Sequence, residues 1–246
     1  MTITTEGIVL RQVKTSTDRR ILTLFTKRLG KISAATNNMQ RKKGKYSAAI
    51  NPFTFGKYFL YKGNDIYNIN GTDDIKAYYK IGENIDKYAC CSYILELSDR
   101  ILPNEQPAPY MFDLLVDYFE IMEVRNSDFM FLVRSFEIKA LIYCGIMPQL
   151  KECACCGEKK DTYYFSVADG GLVCANCKDT ENLIYNIDSS IINIMNYILE
   201  APLKKLSKLS IDDLSLKKLT VVMKSYLDHH LDMRNMKSVD FLNTFE

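Results

Sequence analysis

A chain of 246 residues, 47% hydrophobic and 25% charged, is long enough to bury a full core and to hold one large domain or two smaller ones. No run approaches the ~18 consecutive apolar residues of a membrane span, and no secretory leader is read at the start, so a soluble protein of the reducing cytoplasm is expected. The formal net charge of +2 hides a division: residues 1–80 carry 15 Lys/Arg against 5 Asp/Glu, net +10, whereas residues 81–246 carry net −8, the pattern of a polyanion-binding module joined to a different kind of body.

Taken in chain order, the first third reads as short β-branched and aromatic runs broken by turn residues: 7–13, 21–26, 31–36, 53–61 and 65–69. Lys62-Gly63-Asn64-Asp65 between two aromatic runs is a hairpin signal. Five strands in about 70 residues leave no room for crossover helices, which implies a small antiparallel barrel or sandwich, and five is the strand number of an OB-fold. From Ile75 the period becomes helical, with amphipathic stretches at 88–102, 110–123, 129–144, 189–199 and 211–231 and prolines at 103, 107, 109, 148 and 202 marking the joins. The fold class is therefore α+β multidomain: an OB-fold barrel over 1–80, then an all-α domain over 81–246 carrying an inserted cysteine loop at 150–182.

That loop holds the sharpest chemical signal. Cys153, Cys156, Cys174 and Cys177 form a C-x2-C-x17-C-x2-C array, and each C-x-x-C turn brings two thiolates to one side of a knuckle, so that two knuckles close a tetrahedral zinc shell. With no ligand position left for water, one structural zinc per chain is expected. A disulfide framework fits less well, because Cys90, Cys91, Cys144 and Cys155 would be left over. Cys155 could replace Cys156 by pairing with Cys153 as C-x-C, but Gly157 directly after Cys156 relieves the backbone there.

The cations of the first module gather at strand ends and turns: Arg11, Lys14, Arg19, Arg20, Lys27, Arg28 and Lys31, then the loop Arg41, Lys42, Lys43 and Lys45, then Lys57 and Lys62. Such a groove follows a phosphate backbone without reading sequence. Single strands also need apolar faces for stacking, and Phe53, Phe55, Tyr58, Phe59, Tyr61 and Tyr67 are available. Alternation assigns Phe53, Phe55 and either Tyr58 or Phe59 to one face, read as barrel core rather than base platform.

These residues together resemble the RecO family of bacterial recombination mediators. Glu6-Gly7-Ile8-Val9-Leu10, Asp18 ahead of Leu24-Phe25-Thr26, Leu29-Gly30-Lys31 and Asn51-Pro52-Phe53 look like its OB-fold. The specific part is Phe136-Glu137-Ile138-Lys139-Ala140-Leu141 leading through Gly145-Ile146-Met147-Pro148-Gln149-Leu150 into Cys153, with Phe165-Ser166, Gly170-Gly171-Leu172-Val173-Cys174 and Arg234-x-x-Lys237-Ser238 beyond. The basic loop 38–45 departs from the family's arginine-rich form while keeping its charge. The resemblance implies a nucleoid-associated repair factor that binds single- and double-stranded DNA, anneals complementary strands, and acts with RecR and single-stranded-DNA-binding protein to load RecA on gapped DNA.

Enzyme motifs are missing. Gly30-Lys31 and Gly44-Lys45 lack the upstream glycine of a phosphate-binding loop, and neither H-x-E nor H-E-x-x-H occurs. His229 and His230 fall late in a helix, where exposed or capping roles are expected. Asp113, Asp117 and Glu120 share one helix face, read as solvated surface rather than a nuclease centre. A cytosolic zinc-ribbon adaptor or regulator that binds RNA is the alternative reading.

Overall fold

The computed structural model describes residues 2–16, 19–36, 48–160, 163–179 and 183–242. The chain forms two compact units, Met1–Asn126 with Lys237–Glu246, and Ser127–Met236. The sequence-based break at 80 marks the change from strand to helix, but the first three helices belong with the strands.

In the first unit, β1 (Thr2–Lys14), β2 (Arg20–Thr26), β3 (Gly30–Thr36), β4 (Thr54–Lys62) and β5 (Tyr67–Ala77) are followed by α1 (Tyr79–Glu83), α2 (Ile85–Ile101) and α3 (Pro109–Val124). The strands close a barrel in the order β1-β2-β3-β5-β4, with β3 and β5 parallel and the other pairs antiparallel. This order is that of a five-stranded OB-fold. Its interior is filled by Val9, Leu22, Leu24, Ile32, Ala34, Tyr58, Leu60 and Ile69, all buried. Leu10 is skipped in the β1–β2 register, a bulge that turns Arg11 outward.

Two of the expected core aromatics lie elsewhere. Tyr58 and Leu60 point into the barrel, whereas Phe55 and Phe59 sit on its outer face. The side chains of a strand alternate, so Phe55 cannot share a face with Tyr58. Phe53 and Phe55 are instead covered by helices: Phe112 packs edge-on against Phe25 and Phe55, and Phe119 against Phe53 and Tyr78. Phe53 reaches that position through a left-handed backbone at φ 61°, which a bulky residue tolerates only when packing holds it. These ring pairs, with three lysine–acid pairs, are why α2 and α3 join the barrel.

The second unit contains α4 (Phe129–Cys144), β6 (Tyr163–Ser166), β7 (Gly171–Cys174), β8 (Ile184–Asn186), α5 (Ser189–Glu200), α6 (Leu203–Leu206) and α7 (Asp213–His230). The strands make a small sheet in the order β7-β6-β8, extending past the expected loop limit of 182. Helix α4 is buried continuously from Phe131 to Leu141 and ends at Gly145, in the left-handed conformation at φ 69°. Asp188 and Asp212 cap α5 and α7 by accepting from the N–H groups of Ile191 and Ser215. The final helix, α8 (Lys237–Leu242), returns to the first unit, where the Glu96 carboxylate on α2 accepts from the N–H groups of Lys237 and Ser238.

Candidate functional site

The barrel cations separate into two groups according to their partners. Lys27, in the turn after β2, reaches Asp113 of α3 at 3.1 Å; Lys31 reaches Asp99 of α2 at 3.2 Å; Lys76, late in β5, reaches Glu120 of α3 at 3.2 Å. The hydrogen bond and charge of Asp113 raise the Lys27 pKa above its ordinary value. Two of the three acids read from sequence as solvated helix surface thus face barrel lysines, and Lys27 and Lys31 are engaged in holding helices to the barrel.

The second group lies where β1 ends and β2 begins. Lys14 and Arg20 are direct cross-strand neighbours. The Arg20 guanidinium donates to Gln12 at 2.7 Å once the Gln12 amide is oriented to satisfy both its neighbours, and Arg19 donates to the Asn68 side chain of β5 at 2.8 Å. Two like charges thus stand opposite each other across the β1–β2 pair, an arrangement that by itself disfavours a sheet. Strand β3 ends at Thr36 at this same end of the barrel, and Arg20 donates its N–H to the Thr36 hydroxyl at 3.2 Å.

Arg11 is exposed beside the bulge, and Arg28 is exposed with one guanidinium nitrogen on the Thr4 carbonyl at 3.0 Å. Lys57 is exposed on the outer face of β4, but register places Glu6 on one side of it and Asp73 on the other. Arg41, Lys42, Lys43 and Lys45 lie outside the described residues. The carboxylates at 6, 73, 99, 113 and 120 escape a sequence reading as partners because they lie up to 86 residues away along the chain, and no local spacing connects them to a given lysine.

In the second unit the Sγ atoms of Cys153, Cys156, Cys174 and Cys177 all lie within 4.8 Å of one another, with Cys156 and Cys174 at 4.0 Å. A tetrahedral shell with metal–sulfur bonds of about 2.3 Å has sulfur–sulfur edges of about 3.8 Å, so the four thiols fit one metal ion. All four are free cysteines. The knuckles are built by the backbone: Gly157 N–H donates to the Cys153 carbonyl at 2.8 Å and Cys177 N–H to the Cys174 carbonyl at 3.1 Å. Gly157 adopts φ 71° just after Cys156, which glycine accepts without steric cost. Burial pushes the Cys153 thiol up, but N–H groups of Cys156, Cys174 and Cys155 more than offset it and bring the pKa to about 6, favouring the thiolate a metal needs. Cys155 is exposed and stands outside the four-thiol group.

The ribbon is held by close backbone approach. A Cβ on Gly171 would lie 2.3 Å from the Gln149 carbonyl oxygen, and Leu172 N–H donates to that same oxygen at 2.8 Å. On α7, Tyr226 packs on Phe165 and donates its hydroxyl to the Ile146 carbonyl, Ser225 bonds Tyr185, and the His230 ring bonds the Val167 carbonyl at 2.8 Å. His230 is thus half-buried and structural rather than exposed, and its partner, 63 residues away, leaves no local signal in the sequence.

An OB barrel with cations gathered at one end, accompanied by a helical unit carrying a four-thiol ribbon, defines a class of two-unit protein with an OB-fold and a candidate metal site. Comparison with known proteins is more specific. The family profile for Recombination protein O N terminal matches residues 1–78, and that for Recombination protein O C terminal matches residues 82–240. Similar relatives are the proteins named DNA repair protein RecO of Alkaliphilus metalliredigens, 30% identical over 98% of each chain, of Caldicellulosiruptor saccharolyticus, 31% identical over 99% of this chain and 98% of the other, and of Caldanaerobacter subterraneus, 30% identical over 96% of each. The chain belongs to the recombination protein O family, RecO, of DNA repair and recombination.

Proposed function

We propose that this protein is a recombination mediator: it binds single- and double-stranded DNA, anneals complementary strands, and helps load RecA on gapped DNA together with RecR and single-stranded-DNA-binding protein. The observation that carries the reading is the opposed Lys14–Arg20 pair with Arg19 beside it at one end of the barrel, in a chain whose relatives are named DNA repair proteins. Annealing requires the repulsion between two polyanions to be screened while base edges stay free, and a cationic barrel end meets the first need without breaking any bond. We take the protein to be a binding protein rather than an enzyme, acting at the nucleoid; among the described residues no helix is long and apolar enough to cross a membrane. The four thiolates would hold one zinc ion as a staple for the ribbon, away from any chemistry.

Binding and annealing measured on purified protein over a salt series test this directly. If on the order of 5 phosphates are neutralised, log affinity for single strands falls against log salt with a slope of about −3.5. A flat salt response, or RNA bound better than DNA with no annealing, would replace this reading with that of an RNA-binding adaptor.

A further inference from the structure

The outward side chains of β4 form a row whose members meet different neighbours. Phe55 is covered by Phe112. Lys57 lies in register between Glu6 and Asp73. Phe59 follows, half-buried, with Thr4 on the β1 side and Gly71, which has no side chain, on the β5 side. Tyr61 is next, also half-buried, between Thr2 and Asn68. Outward residues on one strand are about 6.8 Å apart, so two rings stand side by side on the sheet surface, with small or polar residues across the flanking strands and the Lys57 ammonium 5.9 Å from the Phe59 ring centroid.

We propose that the outer face of β4 is a base-stacking platform for unpaired nucleic acid, with Phe59 and Tyr61 as the two rings. The proposal rests on the DNA-binding reading above and deepens it by naming the ligand form: strands whose bases are free to leave a duplex. Sheet-borne aromatics two residues apart are a recurrent way of stacking successive bases. Charge sets the path of the strand. At the Phe59 end, the guanidinium of Arg28 is on the carbonyl of Thr4, the residue facing Phe59. At the Tyr61 end, the facing residue Asn68 accepts from Arg19 at 2.8 Å, joining the platform to the barrel end that holds Arg20 and Lys14. Toward Lys57 the carboxylates of Glu6 and Asp73 repel phosphate. The platform therefore opens toward the cationic end and closes toward the helices.

The chain contains no tryptophan, so Phe59→Trp introduces a single indole at the platform. Its emission is expected to be quenched by a thymidine oligonucleotide and much less by a duplex of equal length, whose bases are already stacked. Phe59→Ala and Tyr61→Ala should each lower single-strand affinity about tenfold while leaving the salt slope unchanged, since stacking releases no counterions. Melting temperatures close to wild type show that the fold is intact, and Phe59→Leu, which keeps apolar volume but not the flat ring, provides a second variant. Wild-type gel shifts that persist with no quenching of the indole, and alanine variants of unchanged affinity, would overturn the platform and leave DNA binding standing. Absence of any DNA binding by the wild type would instead sink the reading beneath it, and the platform with it.

Discussion

The barrel and the ribbon solve the same problem, ordering a short stretch of β-structure, by opposite means. The barrel closes on itself, so its edge hydrogen bonds are satisfied and its interior is filled by aliphatic residues and Tyr58. The ribbon has strands of three or four residues and a core cluster built around Cys153, Val173 and Cys174. A sheet of that size buries too little to offset the entropy of ordering it. The barrel therefore needs no cross-link to hold its shape, whereas the ribbon has at its centre four thiols that could supply one. Removing the metal tests this contrast most severely. Structural zinc contributes on the order of 10 kcal/mol to folding, so chelation or Cys174→Ser should unfold β6, β7 and β8 locally, seen as lost hydrogen-exchange protection and lost zinc stoichiometry, while DNA affinity of the remaining folded protein stays near wild type. Selective loss of DNA binding at unchanged stability would place function in the ribbon and break the comparison.

The two groups of cations give the next largest effect. Arg19→Glu combined with Arg20→Glu should weaken single-strand binding by well over tenfold at moderate salt and reduce the salt slope by about 0.7 for each phosphate no longer neutralised. Lys27→Ala should change affinity little, because its partner is already Asp113. If gel shifts over a salt series showed the reverse, the division of the barrel cations by partner would be wrong. A third test returns to the ribbon. Gly171→Ala places a methyl 2.3 Å from the Gln149 oxygen, and the backbone shift required should cost about 3 kcal/mol, read as a lowered melting temperature without loss of metal.

How much of this is legible in sequence follows from the range of each interaction. Alternation exposes β1 to β4, with β2 and β3 found to within a residue, and the three-and-four spacing finds α4 at its observed limits. Strand β5 reads only to Ile69 because Asn70-Gly71-Thr72-Asp73-Asp74 is poor in strand formers; pairing along β4 carries it on to Ala77. Strands β6 to β8 are too short to show a period. The four clustered cysteines are legible because two knuckles are local events at fixed spacing. What sorts the cations is not: Lys27 with Asp113, Lys31 with Asp99 and Arg19 with Asn68 are pairs made by the fold. Excess positive charge shows that the module is basic without showing which lysines its own helices occupy. Phe55 is misplaced by a sequence reading for the same reason, since apolar character alone cannot distinguish a barrel interior from an outer face covered by α3.

The smallest expected effect separates a ligand from its neighbour. Cys155 lies between two residues of the first knuckle and is the one alternative that spacing leaves open. The fold decides against it by geometry: Cys156 shares the four-thiol group, whereas Cys155 is exposed outside it. Burial and the nearby Asp169 and Cys153 raise the Cys155 thiol above its ordinary pKa. Cys155→Ser should therefore leave zinc stoichiometry, melting temperature and DNA affinity at wild-type values, while Cys156→Ser should lower zinc content and melting temperature together. Both variants measured side by side by metal analysis and thermal unfolding give the answer. Zinc retained in Cys156→Ser but lost in the double variant would show Cys155 able to swing in as a replacement ligand, and would make the ribbon's cross-link adaptable where the barrel's closure is fixed.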